Sequence, residues 1–92
     1  TEKSTGLFAN IDVEITNTSS GKTNIYNIEG VASALEAFGN VIAINLGTEV
    51  DFINTNGWLI KRYNSSTEIN NIILGENIAG IVYADKIEIL NL

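Results

Sequence analysis

Asp51-Phe52-Ile53-Asn54-Thr55-Asn56-Gly57-Trp58-Leu59-Ile60-Lys61-Arg62 has the form of a β-hairpin. Asn-Gly supplies the two positive-φ positions of a two-residue type I′ loop, whose twist matches that of the strands it joins. With Asn56-Gly57 as the loop, Thr55 pairs with Trp58, Ile53 with Ile60 and Asp51 with Arg62, which sets opposite charges directly across from each other. A chain organised around such a hairpin is expected to be mostly β.

The flanking segments support this. Residues 10–16 alternate strictly, with Ile11, Val13 and Ile15 on one face and Asn10, Asp12, Glu14 and Thr16 on the other, the pattern of a half-buried strand. Residues 17–22 form a turn cluster, and 23–29 (TNIYNIE) return to β-favouring residues, so the two runs read as an antiparallel hairpin. Residues 41–46 read as a strand with Ile42, Ile44 and Leu46 facing one way. One helix is expected, over 30–39: Val31, Ala34, Leu35 and Phe38 fall at i, i+3, i+4 and i+7, and Gly39 suits a left-handed C-cap. Two turns of helix are unstable alone in water, so this stripe must dock on a sheet or in a barrel mouth.

Residues 65–75 read two ways. Ser65-x-x-Glu68 resembles a capping box before helically spaced Ile69, Ile72 and Ile73, yet Asn70-Asn71 disfavours a helix interior, leaving a short helix or irregular chain. After a turn at Gly75-Glu76-Asn77, residues 78–83 and 86–90 read as two strands, or as one long strand bulged at Ala84-Asp85. The expected class is α+β, mostly β: six or seven strands and one short helix in a small antiparallel barrel, whose closure removes exposed strand edges. Residues 1–6 are polar and aperiodic and are expected to fray, with the fold starting at Leu7.

Ninety-two residues, 45% of them hydrophobic, suit one small domain spanning the chain. Cys, His, Met and Pro are absent, which removes thiol and imidazole chemistry, soft metal ligands and disulfides. Five Lys and Arg against eleven Asp and Glu give a formal net charge of -6, which opposes bulk attraction to nucleic acid or anionic membrane. No stretch reads as a membrane span or secretory leader, so a cytoplasmic soluble protein is expected.

Ser20-Gly21-Lys22-Thr23 carries the end of a phosphate-binding loop, but the upstream glycine position is Thr16 and a strand follows, so a hairpin loop is the better reading. Asp12 with Glu14, and Glu49 with Asp51, are carboxylate pairs about 7 Å apart along a strand face. They read as solvated faces, since nothing preorganises them for a metal. Asn17-Thr18-Ser19 and Asn64-Ser65-Ser66 are glycosylation sequons expected from composition alone, and Tyr26, Tyr63 and Tyr83 read as wall residues. No catalytic residue, cofactor, metal or small-molecule substrate is expected; only a cleft in which Asp12, Glu14 and Glu49 or Asp51 converge would point to a cation or a carboxylate-based hydrolase. Within 58–63 (WLIKRY) two adjacent cations lie among aromatics, the combination that holds phosphates and stacks unpaired bases. Alternation splits them, however, with Trp58, Ile60 and Arg62 on one face and Leu59, Lys61 and Tyr63 on the other.

The stretches GKTNIYNIEG (21–30), VASALEAF (31–38) and NGWLIKRY (56–63) are similar in character to the PrgU-like proteins, small proteins encoded on pheromone-responsive conjugative plasmids of enterococci. Fifteen Ile and thirteen Asn, both read from A/T-rich codons, suit such a low-GC Firmicutes source. The resemblance implies a compact PUA-like barrel and a cytosolic, non-enzymatic regulatory role that limits production of plasmid-encoded surface and conjugation proteins through RNA. RNA binding would fall to Lys22, Trp58, Lys61, Arg62 and Tyr63, with the three cations gathered on one side. The alternative is a protein-interaction module, self-associating or masking a partner through an exposed Ile-rich face.

Overall fold

A computed structural model describes residues 10–92 apart from Val31. Residues 1–9, including the expected frayed end and the start at Leu7, and Val31 of the expected helix lie outside the described residues. The described chain is all β: nine strands in three antiparallel sheets. This corrects the expectation of an α+β barrel of six or seven strands with a helix.

The first sheet is the hairpin of β1 (Asn10–Asn17) and β2 (Lys22–Glu29), which places Val13 opposite Tyr26 and Ile15 opposite Asn24. The second is a four-stranded meander of β3 (Ala34–Phe38), β4 (Val41–Asn45), β5 (Glu49–Asn54) and β6 (Leu59–Asn64). The third contains β7 (Asn71–Gly75), β8 (Ile78–Val82) and β9 (Ile87–Asn91).

The expected helix is strand β3, paired with β4 from Ala34 opposite Asn45 to Phe38 opposite Val41. Gly39 does take positive φ, at 58°, but as the first central residue of the two-residue turn Gly39-Asn40, the type II′ pattern, rather than as a helix cap. Tertiary demand outweighs the 3.6-residue spacing here. β4 runs through the middle of the molecule, and without β3 one whole edge of its buried backbone would be unpaired.

Stacking replaces closure because the central strands bury both faces. On one face of the meander, Ala43, Val50 and Phe52 pack against Ile72, Ala79 and Ile81 of the third sheet, with Ile69 and Tyr83 completing the cluster. On the other, Ile42, Ile44 and Ile53 pack against Ile28 of β2, with Val13, Ile15 and Tyr26 beside them. Consecutive residues of β4 and β5 therefore feed opposite cores, and these strands read as unbroken buried runs.

The segment before β7 is irregular. Ser65 Oγ accepts from the Thr67 amide, and the amides of Ser65, Ile69 and Asn70 donate outward to Thr48, Gly47 and Val82 rather than back along a helix. The capping-box reading is thereby overturned. Buried Asn45 secures the junction, its Oδ1 accepting from Gly47 at 2.8 Å and its Nδ2 donating to the Ile69 carbonyl at 3.3 Å. Residues 78–91 form two antiparallel strands rather than one bulged strand.

The 51–62 hairpin also differs in detail. Asn54, not Thr55, faces Trp58, and Gly57 N donates to the Asn54 carbonyl at 3.0 Å, so the loop is Thr55-Asn56-Gly57 with only Gly57, at φ 85°, in the left-handed region. Asn54 Oδ1 also accepts from Asn56 N and Trp58 N. This is a three-residue loop of the type I plus glycine-bulge kind, which Asn-Gly serves as well as a type I′ turn. Ile53 then pairs with Leu59, and Ile60 is an extra residue that restores the expected pairing of Asp51 with Arg62.

Candidate functional site

The pairing of β5 with β6 sends the two adjacent cations to opposite faces. Arg62, across from Asp51, faces the β1–β2 hairpin, whereas Lys61 and Tyr63, across from Phe52 and Val50, face the third sheet. Lys22 lies on the hairpin and lines a groove of about 260 Å³ with Asn24, Asn40 and Asn56. Trp58 is 70% exposed beside the β5–β6 turn. The five residues expected to hold RNA thus do not form one platform.

Arg62 is committed to a carboxylate. Its Nε donates to Asp51 Oδ1 at 2.8 Å and its Nη2 to Oδ2 at 3.2 Å, while Tyr26 donates to the same Oδ2 at 2.9 Å. Glu49 Oε2 lies 3.1 Å from the Arg62 Nε. Asp51 is only 2% exposed, so its reading as part of a solvated face is corrected. Asp12, by contrast, is exposed and accepts from Asn27 Nδ2 at 2.9 Å. A cavity of about 370 Å³ beside the network is lined by Asn27, Ile28, Leu46, Glu49, Asp51 and Arg62. Its charged wall is already paired, so the network works as a latch holding the hairpin layer on the central sheet.

Burial alone pushes the Asp51 carboxyl up, but hydrogen bonds from Arg62 and Tyr26 and the charge of Arg62 outweigh it, and the group rests below its ordinary value. Glu49 moves the other way: burial and the neighbouring Asp51 carboxylate hold it above its ordinary value, despite the closeness of Arg62. The two acids part because the one guanidinium is paired bidentately with Asp51, so its attraction does not offset the burial and the Asp51 charge that raise Glu49. An acid whose pKa is raised on folding favours the fold below its unfolded pKa and loses that contribution as pH rises through the folded value. Glu49→Gln, which mimics the protonated acid, is therefore expected to melt at or above the wild-type temperature at pH 7, with the difference shrinking toward pH ~4. Circular dichroism melts at the two pH values check this. A variant less stable at pH 7 than at pH 4, relative to wild type, would mean that Glu49 serves as a charged partner of Arg62.

On the opposite side, Tyr63 and Tyr83 place their hydroxyls 3.2 Å apart, and both donate to Glu88 Oε1. These bonds stabilise the ionised acid and hold Glu88 below its ordinary value, while the same acceptor pushes the Tyr63 phenol up. Lys86 stands 5.2 Å from the Tyr83 ring centroid. Tyr63 is thereby a brace between β6 and β9 rather than a free stacking surface. Among the described residues no group of three or more acidic side chains converges to hold a metal.

The outer side of the third sheet is an uncommitted apolar surface for which sequence reading names no residues. Register aligns Ile73, Gly80 and Ile89 across the third sheet, with Asn71, Val82 and Ile87 on one side of that row and Gly75, Ile78 and Asn91 on the other. All these side chains point away from the core side occupied by Ile72, Ala79 and Ile81. Ile73, Ile78, Ile87 and Ile89 are 56%, 42%, 60% and 64% exposed. The signal was the alternation Ile87-Glu88-Ile89-Leu90, which is apolar on both faces once Leu90 packs inward. The adjacent run Asn71-Ile72-Ile73-Leu74 likewise supplies apolar residues to both sides.

Comparison with models of known protein families, with curated proteins and with solved structures finds no match to this chain.

Proposed function

We propose that this chain is a non-enzymatic binding module that docks a partner protein through the outer face of β7, β8 and β9. The observation that carries this reading is four isoleucines, each at least 42% exposed, on one sheet face without a charged side chain. Contiguous exposed apolar surface, unlike singly scattered apolar residues, marks interaction sites. Asn71 and Asn91 give the patch a neutral polar rim, as in protein interfaces whose cores are depleted of charge.

RNA, the partner implied by the PrgU-like resemblance, is less favoured because Arg62 is bound to Asp51 and Lys61 lies on the opposite face of the central sheet. A photo-reactive p-benzoylphenylalanine in place of Ile73, or in place of Trp58, separates the two in the cells that make the protein. Irradiation is expected to give a discrete protein adduct from position 73. RNA adducts from position 58 with no protein adduct from position 73 would overturn the proposal.

A further inference from the structure

We infer that a second copy of this chain pairs with the first along β9, antiparallel about Ile89, joining two three-stranded sheets into one of six strands. The inference goes beyond docking through the outer face and does not require it, because the open edge of β9 carries it. β8 covers one edge of β9, and no described strand covers the other. From Ile87 to Asn91 the strand has no proline and no cation, its one charge, the inward-facing Glu88, is already held by Tyr63 and Tyr83, and its pairing with β8 runs without a register shift. Exposed edges usually carry such guards against pairing with another chain.

Symmetry then distinguishes this edge from the others. A two-fold axis that pairs a strand with its own copy in one sheet runs normal to that sheet and keeps each face on its own side. Residues opposite each other must share a face, so the axis passes through a residue and not between two. For β9 the fullest overlap centres on Ile89, placing Ile89 against its copy, Ile87 against Asn91 and Glu88 against Leu90, with no like charges opposed. For β3 the same operation centres on Glu36 and opposes two glutamates. For β6 it centres on Lys61 or Arg62 and opposes two cations. For β1 it centres on Val13, setting Asp12 against Glu14, or on Glu14 itself. Like charges directly opposite destabilise a strand pair.

The remaining edges are obstructed. β7 lies against β3 and β4. β2 is abutted by the β5–β6 turn, where Asn24 donates to the Thr55 carbonyl and a Cβ added at Gly57 would lie 3.3 Å from the Ile25 carbonyl oxygen. Pairing along β9 satisfies the backbone groups of the open edge and sets Ile89, the most exposed isoleucine of the third sheet, against its copy, with Ile87 diagonal to that copy. It also merges two small outer apolar faces into one continuous face.

Sedimentation velocity over a concentration series tests the pairing with wild type, Ile89→Lys, Ile89→Asp, an equimolar mixture of those two, and Ile73→Lys, each checked for fold by circular dichroism. Wild type and Ile73→Lys are expected to dimerise alike. Each Ile89 variant alone is expected to raise the dimer Kd at least ~10-fold, and the mixture to restore it to within a few-fold of wild type, because Lys then faces Asp. A wild type still monomeric at ~1 mM, or folded Ile89 variants that stay monomeric when mixed, would overturn the inference. Dimers lost with Ile73→Lys and not restored by the mixture would place association on the outer face, overturning the edge pairing while leaving the docking proposal standing.

Discussion

Replacing Arg62 with methionine is expected to lower stability at pH 7 by about 3 kcal/mol, at the lower end of the range for removing one partner of a buried ion pair. The lower end applies because the Arg62 side chain is 47% exposed, whereas that of Asp51 is only 3% exposed. Loss of the guanidinium leaves the Asp51 carboxylate with Tyr26 as its remaining strong donor, in a site whose burial already opposes charge. The pH dependence should change sign with the substitution. In wild type the depressed Asp51 pKa contributes stability above the unfolded value, and that contribution is lost as pH falls through the folded value. In Arg62→Met burial is no longer outweighed, the Asp51 pKa rises, and acidification relieves the variant. Urea titrations at pH 7 and pH ~4 should show the deficit shrinking in acid. The double variant Asp51→Leu/Arg62→Met should recover most of the loss, since apolar pairs often replace buried ion pairs without cost. A single variant within about 0.5 kcal/mol of wild type at pH 7 would show that the network is not a latch.

That latch shows how far sequence alone reaches. The pairing of Asp51 with Arg62 is legible because cross-strand charge complementarity and an Asn-Gly loop agree on it. The loop itself is not, since Asn-Gly suits both a type I′ turn and a glycine-bulge loop, and the extra residue of the longer loop is cancelled by the bulge at Ile60. The burial of Asp51 is hidden for a different reason: it depends on the β1–β2 hairpin covering that face, a long-range event with no local signature. Strand β3 illustrates a third cause. Four apolar residues within ten can satisfy a helical spacing by coincidence, and Gly39 supports either a helix end or a hairpin. The requirement of β4 for a neighbour decides between them, and that requirement is not local. The isoleucine face of the third sheet escaped naming because runs apolar on both faces read simply as buried strands. Only the layer order reveals which side of β7–β9 is left uncovered.

The layer order also predicts how the molecule comes apart. Phe52 is fully buried between the central and third sheets. Phe52→Ala is expected to cost about 3–5 kcal/mol, a large part of the roughly 5–14 kcal/mol typical for a chain this size. Ile28 is almost as buried, but on the other side of β5, where it helps hold the hairpin. β1 and β2 share no backbone ladder with any other described strand, and they attach through side chains and through Asn24 to the Thr55 carbonyl. Opening of this layer can precede global unfolding, whereas β4, β5 and β8 cannot be exposed without dismantling the Phe52 core. Hydrogen exchange should therefore separate the two variants. In Ile28→Ala, amides of β1 and β2 are expected to exchange about a hundredfold faster, corresponding to ~2.7 kcal/mol, while those of β4, β5 and β8 change little. In Phe52→Ala, protection should fall most in β4, β5 and β8. Equal acceleration of β4 and β8 in Ile28→Ala would mean that the two cores unfold as one, with β5, which feeds both, as the coupling element.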